Sequence, residues 1–339
     1  MSPSKYFNFA EAVAEAKRDF PKETEDVTFV DTSAPDAQDK LLEWARAEGL
    51  SQRQFDSMMN MLESQSAFVS KAKKSGHKLM AVPVERGKDK WGFENEKDKS
   101  AHFVFNHELG HLVVPECVAG DSTKSTEYRE HAADTFAMMR CLQQGTLDKR
   151  DIAAKSNDRG HALLVTGDIT HLTSMSLDAM VINPKNIQFL SLSPKEIIKI
   201  AQKHAATFEM DAETESRFLK VRRAGLDAQE KGLIADAVEQ RLHALSYICL
   251  SAKPDSDGFY IAARILNNAL QTGHVKYAGE TVTFDSKNEH WQHIKETIAQ
   301  KSGTRDIGGT KALQTPDISK PQESGFIAQI KQAATPLKI

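Results

Sequence analysis

The sequence has little of what would indicate a secreted, disulfide-stabilised protein. It contains three cysteines, Cys117, Cys141 and Cys249, which lie far apart and form no CxxC pair. An odd number of cysteines without paired spacing provides no disulfide framework. It favours a reducing compartment, in which we expect small buried thiols.

Long apolar runs are also missing. No stretch of about 18 consecutive apolar residues occurs, so no membrane span is predicted. The N-terminal segment MSPSKYFNFAEAVAEAKRDF lacks the apolar core of a signal peptide, and its acidic residues are unlike those of a transit peptide. We therefore expect a cytoplasmic protein, although an effector exported without a classical signal would have the same features.

Charge of one sign does not dominate the chain. The formal net charge is −3 at pH 7 over 339 residues. This balance provides no general attraction for nucleic acid or for an anionic membrane, so neither partner is expected. The short basic cluster Lys71, Lys73 and Lys74 is expected at a solvated helix end. The sequence does not indicate the oligomeric state.

Hydrophobic periodicity predicts an α+β protein that is mainly helical. We interpret 1–76 as an N-terminal helical region, 77–190 as the candidate catalytic domain, 191–300 as a mainly helical C-terminal region and 301–339 as a flexible tail. Amphipathic helices are predicted in the C-terminal region at about 194–207, 211–223, 226–251 and 258–272. A possible hairpin, VKYAGETVTF, and a short helix near 288–300 follow them.

The pattern changes at KLMAVPV, residues 78–84, a run that is typical of a short strand. The turn RGKDK and the run WGFE suggest a hairpin in which 78–84 pairs with 90–95. Because Pro83 cannot donate to a ladder, we expect this strand at the edge of a small sheet, or with that position facing outward.

The stretch FNHELGHLVVPE, residues 105–116, contains the most informative residues. It belongs to a segment that is apolar on nearly every side, which predicts a centrally buried helix. Residues four apart share a helix face, so His107 and His111 can offer two imidazole nitrogens to one cation. Glu108 borders that face and can accept a proton from a water molecule polarised by the metal. Gly110 allows another backbone or a substrate to approach closely.

A second predicted helix, from about 126 to 143 and closed by Gly145, can complete the site. Its segment TEYREHAADTFA contains four candidate side chains: Glu127, Glu130, His131 and Asp134. Glu130 and Asp134 share a face, so one can ligate the metal while the other accepts a hydrogen bond from a ligand histidine. Two histidines, one carboxylate and an open water position form the pattern of catalytic zinc, Zn²⁺.

HELGH followed by EHAADTFA resembles the gluzincin metallopeptidases, in particular the compact bacterial ImmA-like peptidases that cleave repressors. The resemblance covers about residues 78–137. It implies a zincin-like domain, in which a small edge-strand sheet packs on the HExxH helix and on the glutamate helix. It also implies that Glu130 is the third zinc ligand and that Asp134 is the hydrogen-bond partner of His107.

In zincins an edge strand holds extended substrate by β-addition, which would place a substrate near 79–84 or 90–94. The chain departs from the family elsewhere. We find no helix-turn-helix region, and the long helical C-terminal half has no counterpart that we recognise. A repressor is therefore not implied as the substrate.

Alternatives for the third ligand remain open. Glu127 can replace Glu130, although only Glu130 precedes the Ala-Asp-x-Phe-Ala frame. His131 is a weaker candidate, which we expect to be an exposed helix residue near the site. His102 lies five residues before His107, off the ligand face, and is expected to be structural or on the surface.

A peptidase also needs a donor that stabilises the oxyanion of the tetrahedral intermediate. The candidates are Tyr128, His161 and His171, and Asp168 is placed to orient His171. For each histidine a solvated or core position without a catalytic role is an equal alternative.

The preferred function is hydrolysis of peptide bonds in a protein or peptide substrate. Zinc would be held by His107, His111 and Glu130, and Glu108 would act as the general base. The alternative is a zincin-like, zinc-stabilised module that binds or regulates without catalysis. A third hypothesis, a helical interaction protein without metal, requires both motifs to be coincidental.

Overall fold

A computed structural model of the chain describes residues 6–64, 66–84, 97–117, 124–182 and 191–302. These residues form a mainly helical α+β structure with a small sheet, which confirms the predicted class at that level. They divide into two compact units. The first contains the described residues up to Asp151 together with 191–206, and the second contains 152–182 and 207–302.

Helices and strands are mixed in the first unit as far as Val82. Its elements are α1 (Phe9–Asp19), β1 (Val27–Asp31), α2 (Ala37–Ala47), α3 (Gln52–Glu63), β2 (Phe68–Lys71), β3 (Lys78–Val82), α4 (Lys97–Val113) and α5 (Thr126–Gln144). The chain enters the second unit within α6 (Lys149–Thr166) and continues there through α7 (Ser174–Ile182). It then returns to the first unit for most of α8 (Pro194–Phe208).

The sheet of the first unit has the strand order β1-β3-β2. β1 runs parallel to β3, with Val30 opposite Ala81, and β2 runs antiparallel to β3, with Phe68 opposite Ala81. β3 is therefore a central strand, and the prediction that 78–84 forms an edge strand is wrong. Pro83 fits this position because it lies one residue beyond the ladder, which ends at Val82.

The proposed place for a substrate along 79–84 is excluded for the same reason. Both sides of β3 are already paired, so this strand has no edge left for β-addition. The other predicted strand, 90–95, lies outside the described residues.

Different helices cover the two faces of the sheet. Side chains alternate along a strand, and Leu79 and Ala81 belong to a core cluster with Trp44 of α2 and Met58 of α3. On the opposite face α4 packs against β2 and β3. The HExxH helix thus lies on one face of the sheet as expected, and α2 and α3, which fall in the predicted N-terminal helical region, cover the other face.

Residues 1–76 are not an all-helical region. They contain β1 and β2, whose pairing with β3 joins them to the same compact unit as α4 and α5. β1 (VTFVD) and β2 (FVSK) are short and mix apolar with polar residues, so unlike the apolar run of β3 (KLMAV) they were not recognised as strands. Lys71 ends β2 and Lys73 and Lys74 lie in the turn after it, so the basic cluster is not at a helix end.

The second unit is helical apart from one hairpin. After α6 and α7 it contains α9 (Ala212–Ala224), α10 (Leu226–Glu230), α11 (Ile234–Ser251), α12 (Asp257–Thr272), β4 (His274–Tyr277), β5 (Glu280–Thr283) and α13 (Glu289–Lys301). The predicted hairpin and the helix near 288–300 are confirmed. The segment 226–251, predicted as one helix, is two, because the chain turns at Gly232 with a φ of 74°.

A core of buried apolar side chains from α6, α11, α12 and α13 holds the second unit together, with Leu245, Leu266 and Trp291 among them. No helix in the described part of the chain has the length and apolarity needed to cross a bilayer. Nearly all of the predicted tail, 303–339, lies outside the described residues.

Candidate metal centre

The helix α4 is buried along most of its length, as its all-round apolar pattern predicts. Phe103, Phe105 and Leu109 are at most 2% exposed. His107 and Glu108 lie in the same buried stretch, with 3% and 5% of their surface exposed. Burying polar side chains to this degree costs free energy unless they form hydrogen bonds or ion pairs. The groups around His107 and Glu108 therefore determine their chemistry.

The helix α5 begins and ends at clear capping signals. The backbone N–H of Tyr128 donates to the side chain of Ser125, the N-cap, at 2.9 Å. At the other end Gly145 takes the left-handed conformation with a φ of 66°, as predicted. Between them, every residue from Glu130 to Cys141 is buried. Glu130, His131 and Asp134 therefore face protein and not bulk solvent, whereas Glu127 is partly exposed.

Gly110 allows α4 and α5 to lie close together. A Cβ atom added at this glycine would lie 3.0 Å from the Cα of Ala133 and 3.2 Å from Cδ1 of Phe136. Such distances are too short for an ordinary contact, and a backbone atom cannot turn away as a side chain can. The close approach that the sequence suggested is thus made with the backbone of α5, and it brings the candidate ligands of the two helices together.

Substitution Gly110→Ala is expected to destabilise the protein by up to about 2 kcal/mol, because forced overpacking costs about 1–3 kcal/mol and the better helix propensity of alanine offsets roughly 1 kcal/mol of it. Chemical denaturation would measure the change. Gly258→Ala in α12 is a matched control, since its added Cβ would lie 3.5 Å from the nearest atom, Oγ1 of Thr214. Equal or greater stability of Gly110→Ala would contradict the close packing of α4 and α5.

Three side chains from the two helices converge on one point. His107 Nε2 lies 3.2 Å from His111 Nε2 and 3.3 Å from Glu130 Oε2. His111 Nε2 lies 3.5 Å from Glu130 Oε1. The candidate ligand atoms all lie within 4.8 Å of one another. His107 and Glu130 are buried and His111 is partly exposed, so His111 marks the side of the cluster that faces solvent.

Asp134 holds His107 in one orientation. Its side chain is fully buried, and its Oδ1 lies 2.8 Å from Nδ1 of His107. Since the carboxylate can only accept there, Nδ1–H donates, and Nε2 is left facing His111 and Glu130. The predicted partnership of Asp134 with His107 is therefore present in the geometry.

The two carboxylates also set the charge preference of the cluster. Burial has the largest single effect on the pKa of His107 and lowers it, but hydrogen bonds to Asp134 and Glu130, and their charges, raise the pKa to about 9. A buried imidazole with a raised pKa shows that the cluster favours a positive charge. A divalent cation would satisfy the same preference.

We expect Asp134→Asn to weaken the binding of zinc by about 10- to 100-fold, because the amide carries no charge and no longer fixes the histidine tautomer. Competition with a zinc chelator of known affinity would measure the change. Asp158→Asn, which alters a buried carboxylate of the second unit, is the control and should leave zinc affinity unchanged. Unchanged affinity in Asp134→Asn would remove this residue from its role.

The alternative ligands on α5 form a separate pair. His131 Nε2 lies 3.4 Å from Glu127 Oε1, one helical turn away. His131 is 1% exposed, so the prediction that it is an exposed residue is wrong. The close packing of α5, which the sequence pattern did not show on this side, explains its burial. The three-residue cluster contains Glu130, and neither Glu127 nor His131 is a member.

The candidates for oxyanion stabilisation lie in different surroundings. Tyr128 is buried in the first turn of α5, and Nζ of Lys124 lies 5.0 Å from the centre of its ring. His161 belongs to the second unit, where Nε2 lies 2.8 Å from Oδ1 of Asn268 and Nδ1 lies 2.9 Å from the carbonyl oxygen of Lys276. These bonds are those of a core histidine that links α6 to α12 and β4.

His171 also lies in the second unit, before α7. Its Nδ1 lies 2.7 Å from Oδ2 of Asp168, so the predicted pairing with Asp168 is present. The hydroxyl of Thr170 donates to the other carboxylate oxygen at 2.8 Å. The roles of Tyr128 and His171 in stabilising an oxyanion stay predictions.

The Asp168–His171 pair predicts a dependence of stability on pH. Burial raises the pKa of Asp168, but the hydrogen bond and charge of His171, with the hydroxyl of Thr170, lower it well below its usual range. A lowered pKa in the folded state adds stability above the unfolded pKa of about 3.9, and this stability is lost as pH falls further. Asp168→Asn should therefore melt below the wild type at pH 5, with the difference shrinking towards pH 3. If the difference in melting temperature between the variant and the wild type grew towards low pH, the pKa of Asp168 would not be lowered in the folded protein.

The cysteines are not members of the three-residue cluster. All three are buried and free, as predicted. Cys117, which follows α4, was given no role from the sequence, yet it is close enough to Glu130 to be affected by its charge. Burial, and then Glu130, raise the pKa of Cys117 to about 12, so the thiol stays protonated at neutral pH.

No family model, no curated protein and no solved structure matches the chain. The resemblance to the gluzincin metallopeptidases stays a prediction that depends on the two motifs.

Proposed function

We propose that the chain is a zinc-dependent peptidase that hydrolyses peptide bonds in a protein or peptide substrate. The observation that supports this most strongly is the convergence of His107, His111 and Glu130 from two helices. Glu108, which is buried and lies beside the first histidine in the chain, supplies the acid–base group that such a reaction needs.

The donor set fits zinc. Two imidazole nitrogens and a carboxylate are the ligands of one common class of catalytic zinc site. Ligand atoms at about 2.0–2.1 Å from a tetrahedral zinc ion lie roughly 3.3–3.4 Å from one another. The two imidazole nitrogens, 3.2 Å apart, and the 3.3 Å between His107 Nε2 and Oε2 of Glu130 are close to this value. The 3.5 Å from His111 Nε2 is to the other carboxylate oxygen, Oε1, so Glu130 offers one oxygen towards each histidine.

The position of each residue then indicates its role in the reaction. When bound, zinc supplies Lewis-acid chemistry, polarising a water molecule and the scissile carbonyl. His107, His111 and Glu130 would hold the ion, and Asp134 would keep Nε2 of His107 directed at it. The carboxylate of Glu108 accepts a proton from the attacking water and then donates it to the nitrogen of the leaving amine. Its burial keeps bulk water from competing for that proton.

The test is removal and return of the metal. Protein treated with a chelator should lose the ability to cut a mixed peptide library, and one equivalent of zinc should restore it. Magnesium, which prefers oxygen ligands, serves as the control and should not restore cleavage. Zinc binding that raises the melting temperature without any peptide cleavage would favour the non-catalytic module. Absence of zinc binding would contradict both hypotheses.

A further inference from the structure

A groove of about 390 Å³ lies between α3 and β2 in the first unit. Its apolar lining consists of Leu50, Met58, Met61, Phe68 and Val69. Met61 is 38% exposed and is one of the exposed large apolar side chains in the described part of the chain. Exposed apolar surface in a concave place often marks a site that binds another molecule. We refer to this feature as the β2 groove.

The rim of the β2 groove is basic. Lys71, Lys73 and Lys74 line it, and the latter two are exposed and pair with no carboxylate among the residues that the structure describes. Glu48 is the acidic residue of the described lining, and its carboxylate is already engaged. Ser75 Oγ donates to it, and Nδ1 of His77 lies 2.9 Å from Oε1. The rim therefore presents positive charge to solvent.

The strand beside the groove can pair with a further strand. β2 is paired with β3 on one side, and no other strand of the described chain lies on its other side. The outer backbone groups of an edge strand are a template for an extended peptide. Side chains alternate along such a peptide, so every second one would enter the groove.

We propose that the β2 groove binds an extended, acidic segment of a partner protein. Apolar side chains of the segment pack on Met61 and Phe68, and its carboxylates face Lys73 and Lys74. The chain's own residues 303–339 contain more basic than acidic residues, so they complement this rim poorly. The inference does not rest on the proposed function, because none of the residues that line the groove belongs to the candidate metal cluster.

Fluorescence anisotropy with a labelled peptide tests the charge preference. The probe alternates Glu or Asp with Ile or Val, and a second peptide has Lys in place of each acid. We expect the acidic peptide to bind at least about tenfold more tightly. The double change Lys73→Glu and Lys74→Glu should weaken its binding about tenfold or more. The pair Lys220→Glu and Lys231→Glu, exposed lysines of the second unit, changes the net charge equally and should have no effect.

Met61→Arg separates docking in the groove from general attraction between charges. The larger side chain fills the groove but adds a positive charge, so docking predicts weaker binding of the acidic peptide. General attraction, or binding at the metal centre, predicts equal or tighter binding. Either of those results would overturn the proposal, as would equal binding of the acidic and basic peptides by the wild type.

Photo-crosslinking identifies the occupant directly. Met61→Cys provides an accessible thiol for a crosslinker, because the native cysteines are buried. Crosslinks should form with the acidic peptide and be located by mass spectrometry. Crosslinks to 85–96 or 303–339 of the same chain, or to a second copy, that persist at saturating peptide would show that another segment occupies the groove and would overturn the proposal.

Discussion

Substitution of Glu108 by Gln is expected to lower the rate of peptide hydrolysis by about 10²- to 10⁴-fold, with zinc still bound. The amide has nearly the shape of the carboxylate but cannot take a proton from the attacking water. Because Glu108 is not a member of the ligand cluster, its loss should leave the metal content unchanged. Initial rates on a cleavable peptide, with zinc content by mass spectrometry, provide the measurement.

Glu116→Gln is the matched control for this experiment. Glu116 follows α4 and is exposed, so its substitution should change neither the rate nor the zinc content. If Glu108→Gln and the wild type hydrolyse the peptide at equal rates, Glu108 is not the general base. A variant that loses its zinc would instead show that Glu108 supports the metal site.

Substitution of His111 by Ala is expected to abolish stoichiometric zinc binding, together with the stability that zinc contributes. A ligand present at about 100 times its dissociation constant adds roughly 2.7 kcal/mol to the free energy of unfolding. For a unit of this size that corresponds to about 5–10 °C in melting temperature. The wild type should lose this increment on chelation, whereas His111→Ala should not respond to the chelator.

His102→Ala provides the control on the same helix. His102 contacts the ring of Phe7 at 5.0 Å and is not a member of the cluster, so its variant should keep about one zinc per chain. Glu130→Gln and Glu127→Gln distinguish the alternative carboxylate ligands, and only the former should lose zinc. Retention of zinc by His111→Ala would show that the metal is bound elsewhere.

The candidate site could be predicted from the sequence largely because its parts are local. The spacing of His107 and His111 determines that they share a helix face, and that of Glu130 and Asp134 does the same. Residue spacing within each helix could not predict that α4 and α5 contact each other. Gly110 was the signal for it, since a close crossing of helices needs a residue without a side chain.

The sheet could not be predicted from the sequence in the same way. β1 pairs with β3 across about fifty residues, and no local pattern reports such a long-range contact. KLMAVPV was correctly interpreted as a strand, but its place within the sheet depends on partners, β1 and β2, that were not recognised because they mix apolar and polar residues (VTFVD, FVSK). The burial of His131 has a similar origin, because it arises from tertiary packing around α5.

The second unit was more predictable because helices dominate it. Amphipathic periodicity located α9 and α12 of this unit within about two residues of their observed ends, and α8, most of which belongs to the first unit, equally well. The break at Gly232 was missed, since a glycine inside an apolar helical pattern is compatible with a continuous helix. The surroundings of His161 could not be foreseen, because they combine side chains and backbone from distant elements.

Mass spectrometry of a peptide library incubated in ¹⁸O-labelled water is the most direct test for a zinc peptidase. Zinc-loaded wild type and zinc-loaded Glu108→Gln would be compared in parallel. We predict new C-termini that carry one ¹⁸O atom from the wild type, and almost none from the variant. If the zinc-loaded wild type generates no labelled termini, or if both proteins generate them at equal rates, the proposed activity and its mechanism are contradicted.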